Sequence, residues 1–380
     1  MNHPIDHHAM RKEPHEDLTS EQLQEIEGCI NCGLCISRCP SLRALAQTAE
    51  FYAGPRDIAT SLSRLETDAW ATQDTIYYCT MCGACRAVCP TGIAISDIVA
   101  NIRGEILQQD KEGASRAHRA MQQNLETAGN IYGQPLNPVG PEYRKSRAEW
   151  VLFGGCVFAY TEPESLAATM ALLGRLGGDF TTIEEKCCGG PSGIIGVPLV
   201  KALSEHNLAQ IEAAHTRKVI TACPRCYFTF SHDPAYAGLE VVYTTQLLAQ
   251  IAPHLKTEHK ITYHDPCELG RLCGEYDSAR RLISGMTDEF IEMPHCGALS
   301  DCCGAGGGLR GAFTRLSLQI ARRRLLDAQT TGADILLTEC PSCLHNFRNA
   351  RRRQDTMEVY NISEYLGLLA RLQRGDERRG

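Results

Sequence analysis

The chain is predicted to fold as an α-helical, cysteine-wrapped N-terminal domain followed by two repeated α/β domains related by pseudo-twofold symmetry. Three observations carry this expectation. Eighteen of the 20 cysteines fall into two pairs of matching patterns. The second pair lies in an internal repeat whose corresponding cysteines are 111 to 117 residues apart. Within each repeat, apolar strand-like runs alternate with helix-like periodicity, the order expected of a parallel sheet.

The 380 residues leave room for two or three cores. No apolar run approaches the roughly 18 residues needed to span a bilayer. The first 28 residues lack an apolar signal-peptide core and a twin-arginine pair, so the expected location is cytoplasmic, at the inner face of the membrane only through a partner subunit. In a reducing compartment this many cysteines point to metal ligands rather than disulfides. The net charge of −7, with both signs mixed along the chain, argues against a nucleic-acid partner. Two basic runs, Arg322-Arg323-Arg324 and Arg351-Arg352-Arg353, are read as solvated faces. Ile320 and Leu325-Leu326 place the first on an amphipathic helix.

Residues 1–20, with His3, His7, His8 and His15, read as a disordered tail. Residues 21–115 form the first domain, with helical stretches at 58–65 and 98–109. Residues 116–147, rich in Gly, Pro and Asn near their end, read as a linker. The repeats occupy 148–255 and 256–370. Each opens with a strand ending at a cysteine (150–156 and 261–267), then a helix (166–176 and 279–285). A short strand (180–183 and 290–293) leads to a vicinal cysteine pair, and a helix follows at 199–214 or 316–328. A buried-type strand (219–223 and 335–340) delivers Cys-Pro-x-Cys. A last strand and helix close each copy (239–243 with 246–251, and 357–360 with 362–369). In such sheets ligands sit at the carboxyl ends of strands, so three cysteine groups per copy can converge.

The first domain carries two ferredoxin-type runs, Cys29-Ile-Asn-Cys32-Gly-Leu-Cys35-Ile-Ser-Arg-Cys39-Pro40 and Cys79-Thr-Met-Cys82-Gly-Ala-Cys85-Arg-Ala-Val-Cys89-Pro90. This spacing wraps a cubane [4Fe-4S] cluster, with the fourth cysteine of each run serving the other cluster. One cubane is therefore expected on Cys29, Cys32, Cys35 and Cys89, the other on Cys79, Cys82, Cys85 and Cys39. Gly33 and Gly83 permit close backbone approach. Zinc, with four ligands, does not explain two such runs followed by Pro.

The repeated motif is Cys156, Cys187-Cys188-Gly189, Cys223-Pro-Arg-Cys226, and again Cys267, Cys302-Cys303-Gly304, Cys340-Pro-Ser-Cys343. Five thiols exceed a cubane's need, which suggests a larger or opened cluster. A redox-active Cys-x-x-Cys disulfide explains Cys223 and Cys226 but not the ordered repetition. Cys273 and Cys296 fall outside the motifs and read as buried structural thiols.

These motifs resemble the cysteine-rich CCG domain of heterodisulfide reductases, and the likeness spans nearly the whole chain. The layout is similar to the D-type form of that enzyme, in which a ferredoxin-like domain is fused to two CCG domains in one polypeptide. The resemblance implies a noncubane [4Fe-4S] cluster on each five-cysteine set. It implies an oxidoreductase that passes electrons through two cubanes to two noncubane clusters, which cleave or form a disulfide. It also implies a complex with an electron-donating flavoprotein or membrane cytochrome, and a small-molecule disulfide or thiol substrate. The iron–sulfur subunits of glycolate, lactate and glycerol-3-phosphate dehydrogenases share the layout and a stretch like Tyr52-Ala-Gly-Pro-Arg56, so a pure electron-transfer role is the alternative. Their motifs often lack cysteines, whereas both motifs are complete here.

Reduction of a disulfide takes two electrons, and two equivalent centres facing each other could each supply one. That would give the duplication a purpose. His264, Asp265, Lys186 and His345, beside the cysteines, are candidate proton donors, with an orienting role as the plainer reading of each. Gly189-Gly190 and Gly304-Ala-Gly-Gly-Gly308 leave space at the clusters. The second run lacks the Lys-Ser/Thr of a phosphate loop. No flavin or nucleotide fingerprint is present.

Overall fold

A computed structural model describes residues 18–46, 53–63, 74–109, 114–135, 137, 139–253 and 255–372. The histidines of the tail, Tyr52 and the end of the 58–65 helix lie outside the described residues.

The first domain is helical. Helix Ser20–Glu27 opens with a capping box in which Thr19 and Gln22 satisfy each other's backbone amides. Helices Pro55–Ser63 and Ile95–Gln109 supply the apolar core around Ile58, Ile98, Val99 and Ile102. The two cysteine runs form short helices, Leu34–Arg38 and Ala84–Ala87, that pack together beneath this core.

The repeats have one topology. In the first, β1 (Trp150–Phe153), β2 (Phe180–Thr181), β3 (Lys218–Thr221) and β4 (Glu240–Tyr243) form a parallel sheet in the order β2-β1-β3-β4. In the second, β5 (Ile261–Tyr263), β6 (Ile335–Thr338) and β7 (Glu358–Asn361) are parallel in the order β5-β6-β7. The expected strand at 290–293 is reduced to one parallel bridge, Ile261 to Phe290. Met293 turns into the core and Pro294, which has no amide to donate, follows it.

The two sheets share one hydrophobic core, in which Leu152, Leu166, Leu173 and Leu248 meet Ile283, Leu337, Ile362 and Leu366. The packing is reciprocal. Helix Pro163–Arg175, which follows β1, lies on Ile362–Leu372, which ends the second copy. Helix Thr244–Ile251, which ends the first copy, lies on Asp277–Met286, which follows β5. Glu339 fastens the seam by accepting hydrogen bonds from Thr245 and Tyr263, while its carbonyl accepts one from Tyr243. Burial pushes the Glu339 carboxyl up to about 7.

The stretch expected to be a linker contains helix Arg116–Ala128, with His118 and Leu125 buried. It is held against both repeats rather than strung between domains. The helical domain meets the first repeat through two glycines. A Cβ on Gly104 would lie 2.1 Å from the Gly196 carbonyl oxygen, and one on Gly196 would lie 1.9 Å from that of Ala100. Both obstacles are backbone and cannot swing aside. Gly104→Ala should therefore cost about 2–3 kcal/mol, at the upper end for overpacking. The check is a lowered thermal midpoint with the Ile95–Gln109 helix content retained by circular dichroism.

Candidate metal and substrate site

All 20 cysteines are free thiols, and eighteen of them gather in four sets. Cys29, Cys32, Cys35 and Cys89 line one pocket, together with Cys85. Cys39, Cys79, Cys82 and Cys85 line the next. The fourth cysteine of each run thus crosses to the other run, as its spacing requires. The loops are matched in strain. Asn31 and Met81 occupy the left-handed region at φ 55° and 54°, each two residues before Gly33 or Gly83, which are also left-handed. Consecutive left-handed turns aim amides inward, and the Met81 amide donates to Cys79 Sγ at 3.3 Å.

In the first repeat, Cys156 and Cys187 Sγ are 4.0 Å apart, and Cys188 lies 3.9 Å from Thr229 Oγ1. In the second, Cys303 and Cys343 Sγ are 3.1 Å apart. A ring nitrogen of His264 falls within 4.8 Å of both sulfurs. Hydrogen bonds from the adjacent cysteine, then from the Cys-Pro-x-Cys thiol, hold Cys188 and Cys303 well below the usual thiol range. Their neighbours Cys187, Cys226, Cys302 and Cys343 are pushed well above it. In each set, then, thiols that resist ionisation surround one that favours it. Holding more thiolate there needs positive charge, which is the chemistry of a metal–sulfide cluster. The donor sets fit such a group.

The loops around these thiols are fixed by residues that sequence reasoning missed. Glu185 accepts from the amides of Gly154 and Gly155, at 2.7 and 2.8 Å, and so shapes the turn that delivers Cys156. Burial pushes its carboxyl up to about 7. Asn207 binds the Cys187 carbonyl, Tyr236 that of Cys188 and Asn346 that of Cys303. Arg103, wholly buried, donates to the carbonyls of Ile76 and Cys79, of Ile194 in the first repeat, and of Gly307 in the second. It joins all three parts of the fold at one point. Arg271 donates to the Cys82 carbonyl at 2.6 Å and to the Ser300 carbonyl at 2.6 Å. There the Cys82 and Cys302 thiols hydrogen-bond to each other, which lowers Cys82 to about 5.

Between the repeats lies a cavity of about 400 Å³. Cys223 of the first repeat opens into it, as do Cys267, Cys303, Cys340 and Cys343 of the second. Part of its apolar wall comes from Ala117, Ala120, Met121 and Ile131, all in the stretch read as a linker. Arg225, Arg310, Tyr132 and Glu268 supply polarity. Arg225 is committed to Glu268 (Nε to Oε1, 2.9 Å), whereas Arg310 donates to the neutral Asn346 Oδ1 at 2.6 Å. Arg310 thus has no carboxylate partner among the described residues and brings positive charge to the cavity.

The candidate proton donors separate. Asp265 pairs with Arg280 and accepts from the Gly297 amide, a holding role. Lys186 packs along Gly129 and does not line the cavity. His345 lines it, but its Nδ1 meets Glu162 at 2.9 Å and its Nε2 meets the Asn349 amide at 3.2 Å. Both ring nitrogens are engaged. His264 is buried, with Nδ1 facing Arg324 Nε at 3.2 Å. Cys273 and Cys296 are half-buried, not buried as expected. The glycine run also has a packing reason. A Cβ on Gly306 or Gly307 would strike the carbonyl of Thr80 or Cys79, at 2.7 and 2.3 Å.

Residues 25–93 match the 4Fe-4S dicluster domain, and residues 150–231 and 261–348 each match the cysteine-rich domain designated CCG. The chain is 30% identical to the D-type subunit of the dihydromethanophenazine:CoB–CoM heterodisulfide reductase of Methanosarcina barkeri, over 93% of this chain and 97% of that one. The chain belongs to the D-type heterodisulfide reductase family of iron–sulfur proteins. Several of its relatives are oxidoreductases. One subunit of the fumarate reductase (CoM/CoB) of Methanothermobacter marburgensis is 26% identical over 92% of this heterodisulfide reductase family member and 73% of that protein. A hypothetical protein from Helicobacter pylori has a similar fold, with a TM-score of 0.59 and 14% identity over 93% of this chain and 73% of that one. No described helix of this heterodisulfide reductase homologue is long and apolar enough to cross a membrane.

Proposed function

We propose that this protein is the catalytic subunit of an iron–sulfur oxidoreductase that cleaves or forms a disulfide in the cavity between its two repeats. The observation that carries the reading is that both five-cysteine sets reach this one cavity. The reciprocal helix packing supports a pseudo-twofold axis through it, since in an isologous arrangement each surface meets the other's counterpart. Two relatives named for the CoM/CoB pair support thiol–disulfide chemistry.

Cys29, Cys32, Cys35 and Cys89 would hold one cubane cluster, and Cys39, Cys79, Cys82 and Cys85 the other. Cys156, Cys187, Cys188, Cys223 and Cys226 would hold a noncubane cluster, as would Cys267, Cys302, Cys303, Cys340 and Cys343. When bound, such clusters supply the electrons that a disulfide takes up in pairs. The chain's own residues do the rest. Ala117, Ala120 and Met121 exclude water and receive the hydrocarbon part of a substrate. Arg310 attracts an anionic end and so orients the S–S bond between the two cysteine sets. Glu268 keeps Arg225 at the cavity floor, and Arg324 fixes the His264 ring beside Cys303.

The test is turnover of the isolated, cluster-loaded chain with a reduced viologen dye and a small disulfide. Disulfide-dependent dye oxidation is expected. Clusters that accept dye electrons but pass none to any disulfide would instead mark an electron relay. In the same assay Arg310→Met should raise KM for an anionic disulfide by about 10–100-fold, from a charge-assisted hydrogen bond worth about 1.5–3 kcal/mol. Iron content should not change, and an unaltered KM contradicts the assignment.

A further inference from the structure

The two arginine runs, far apart in sequence, meet in space. Arg315, Leu318, Gln319, Arg322 and Arg323 of helix Thr314–Gln329 form one wall of an open groove of about 660 Å³, and Asn349, Ala350 and Arg352 form the other. No acidic residue lines it among the described residues. Arg322 is paired with Asp355. Arg315, Arg323 and Arg352 are exposed, and no carboxylate lies within ion-pair distance of them among the described residues. This is a concentrated positive surface on a chain of net charge −7.

The groove is also placed for electrons. Ala44 lines it, and Ala44 belongs to helix Pro40–Leu45, which begins just after Cys39. Pro40, Ser41, Leu42 and Leu45 of that helix line the pocket of the second cubane set. One short helix therefore has a face on each. Ala44 is five residues from Cys39, about 7–8 Å along a helix at 1.5 Å per residue.

We infer that this groove docks the acidic face of a soluble electron-carrier protein, which exchanges electrons with the cluster held by Cys39, Cys79, Cys82 and Cys85. The inference rests on the cluster assignment proposed above and not on the identity of the disulfide. Local charge opposite in sign to the chain as a whole steers an acidic partner to this face and repels it from others. The exchange is one electron from the reduced carrier to the oxidised cluster, with no bond made and no proton needed.

Oxidised and reduced plant-type ferredoxin, an acidic carrier, serves as the probe against the cluster-loaded protein and the variant Arg315→Glu/Arg323→Glu/Arg352→Glu. Calorimetric titration with oxidised ferredoxin should show binding at low salt that weakens at least about 10-fold in the variant. Stopped-flow bleaching of the clusters by reduced ferredoxin should slow by about 10–100-fold at low salt and lose most of its salt dependence. Bleaching by a viologen dye, which needs no docking, should be unchanged and shows that the variant is folded and loaded. Ferredoxin binding and reduction equal in the two proteins would overturn the inference. So would loss in the variant of binding to phosphatidylglycerol vesicles alone, which would assign the groove to a lipid surface. Failure of disulfide turnover with intact ferredoxin docking would count against the proposed reaction and leave the groove standing.

Discussion

Replacing Cys303 by alanine should lower dye-driven disulfide reduction by more than about 100-fold and remove one cluster's worth of iron. Loss of a residue that merely supports a metal ligand typically costs 10–100-fold, and loss of the ligand itself costs more. Cys303 hydrogen-bonds with Cys302, Cys343 and His264. It lies 3.1 Å from Cys343, beside His264, and carries the thiolate that its neighbours stabilise. Its carbonyl is tied to Asn346, so the backbone should keep its place while the sulfur goes. Iron analysis and turnover on the same anaerobic sample check this. Full activity with unchanged iron would remove Cys303 from the site.

Arg103→Met should destabilise the protein by about 3–5 kcal/mol, the cost of breaking a buried charged network. Its guanidinium serves four carbonyls drawn from three regions of the fold. Methionine fills part of the volume but leaves those acceptors without donors, each costing about 1–3 kcal/mol before relaxation. Because the Cys79 carbonyl is one of the four, the pocket lined by Cys39, Cys79, Cys82 and Cys85 should loosen first. The measurement is thermal unfolding of the apo and loaded forms, together with limited proteolysis. A variant with the wild-type midpoint and wild-type resistance would show that Arg103 does not join the three parts.

Much of the fold was legible because its signals are local. Runs such as Val219-Ile-Thr and Ile335-Leu-Leu read as buried strands and are β3 and β6. The amphipathic pattern around Leu316–Ala328 reads as a helix, and the structure has Thr314–Gln329. The thiol sets were legible for the same reason, since cysteine spacing encodes which loop wraps what. The pairing of Cys39 with the second run and Cys89 with the first follows from spacing, and the pockets group these thiols that way.

What escaped notice depends on residues distant in sequence. Helix Arg116–Ala128 sits among polar and Gly/Pro-rich residues that suggest a linker, and only the packed structure turns Ala117, Ala120 and Met121 into a cavity wall. Arg103 looks like any helix arginine until the backbones of three regions converge on it. Arg323 and Arg352 read as parts of two separate solvated runs, because nothing local says that residues 323 and 352 face one groove. His345 and Asp265 are candidate proton donors in the sequence, with an orienting role as the plainer reading, and the partners that engage them, Glu162 and Arg280, lie 183 and 15 residues away.

Iron and sulfide content with electron paramagnetic resonance, on anaerobically purified protein before and after addition of a candidate thiol, bears most directly on the claim that the duplicated five-thiol sets are cluster sites. About sixteen iron atoms per chain are expected, four for each of four clusters, with a new signal when the thiol enters the cavity of the oxidised protein. About eight iron atoms, no response to thiol, and ten C-terminal cysteines free or bridged to one another would contradict it.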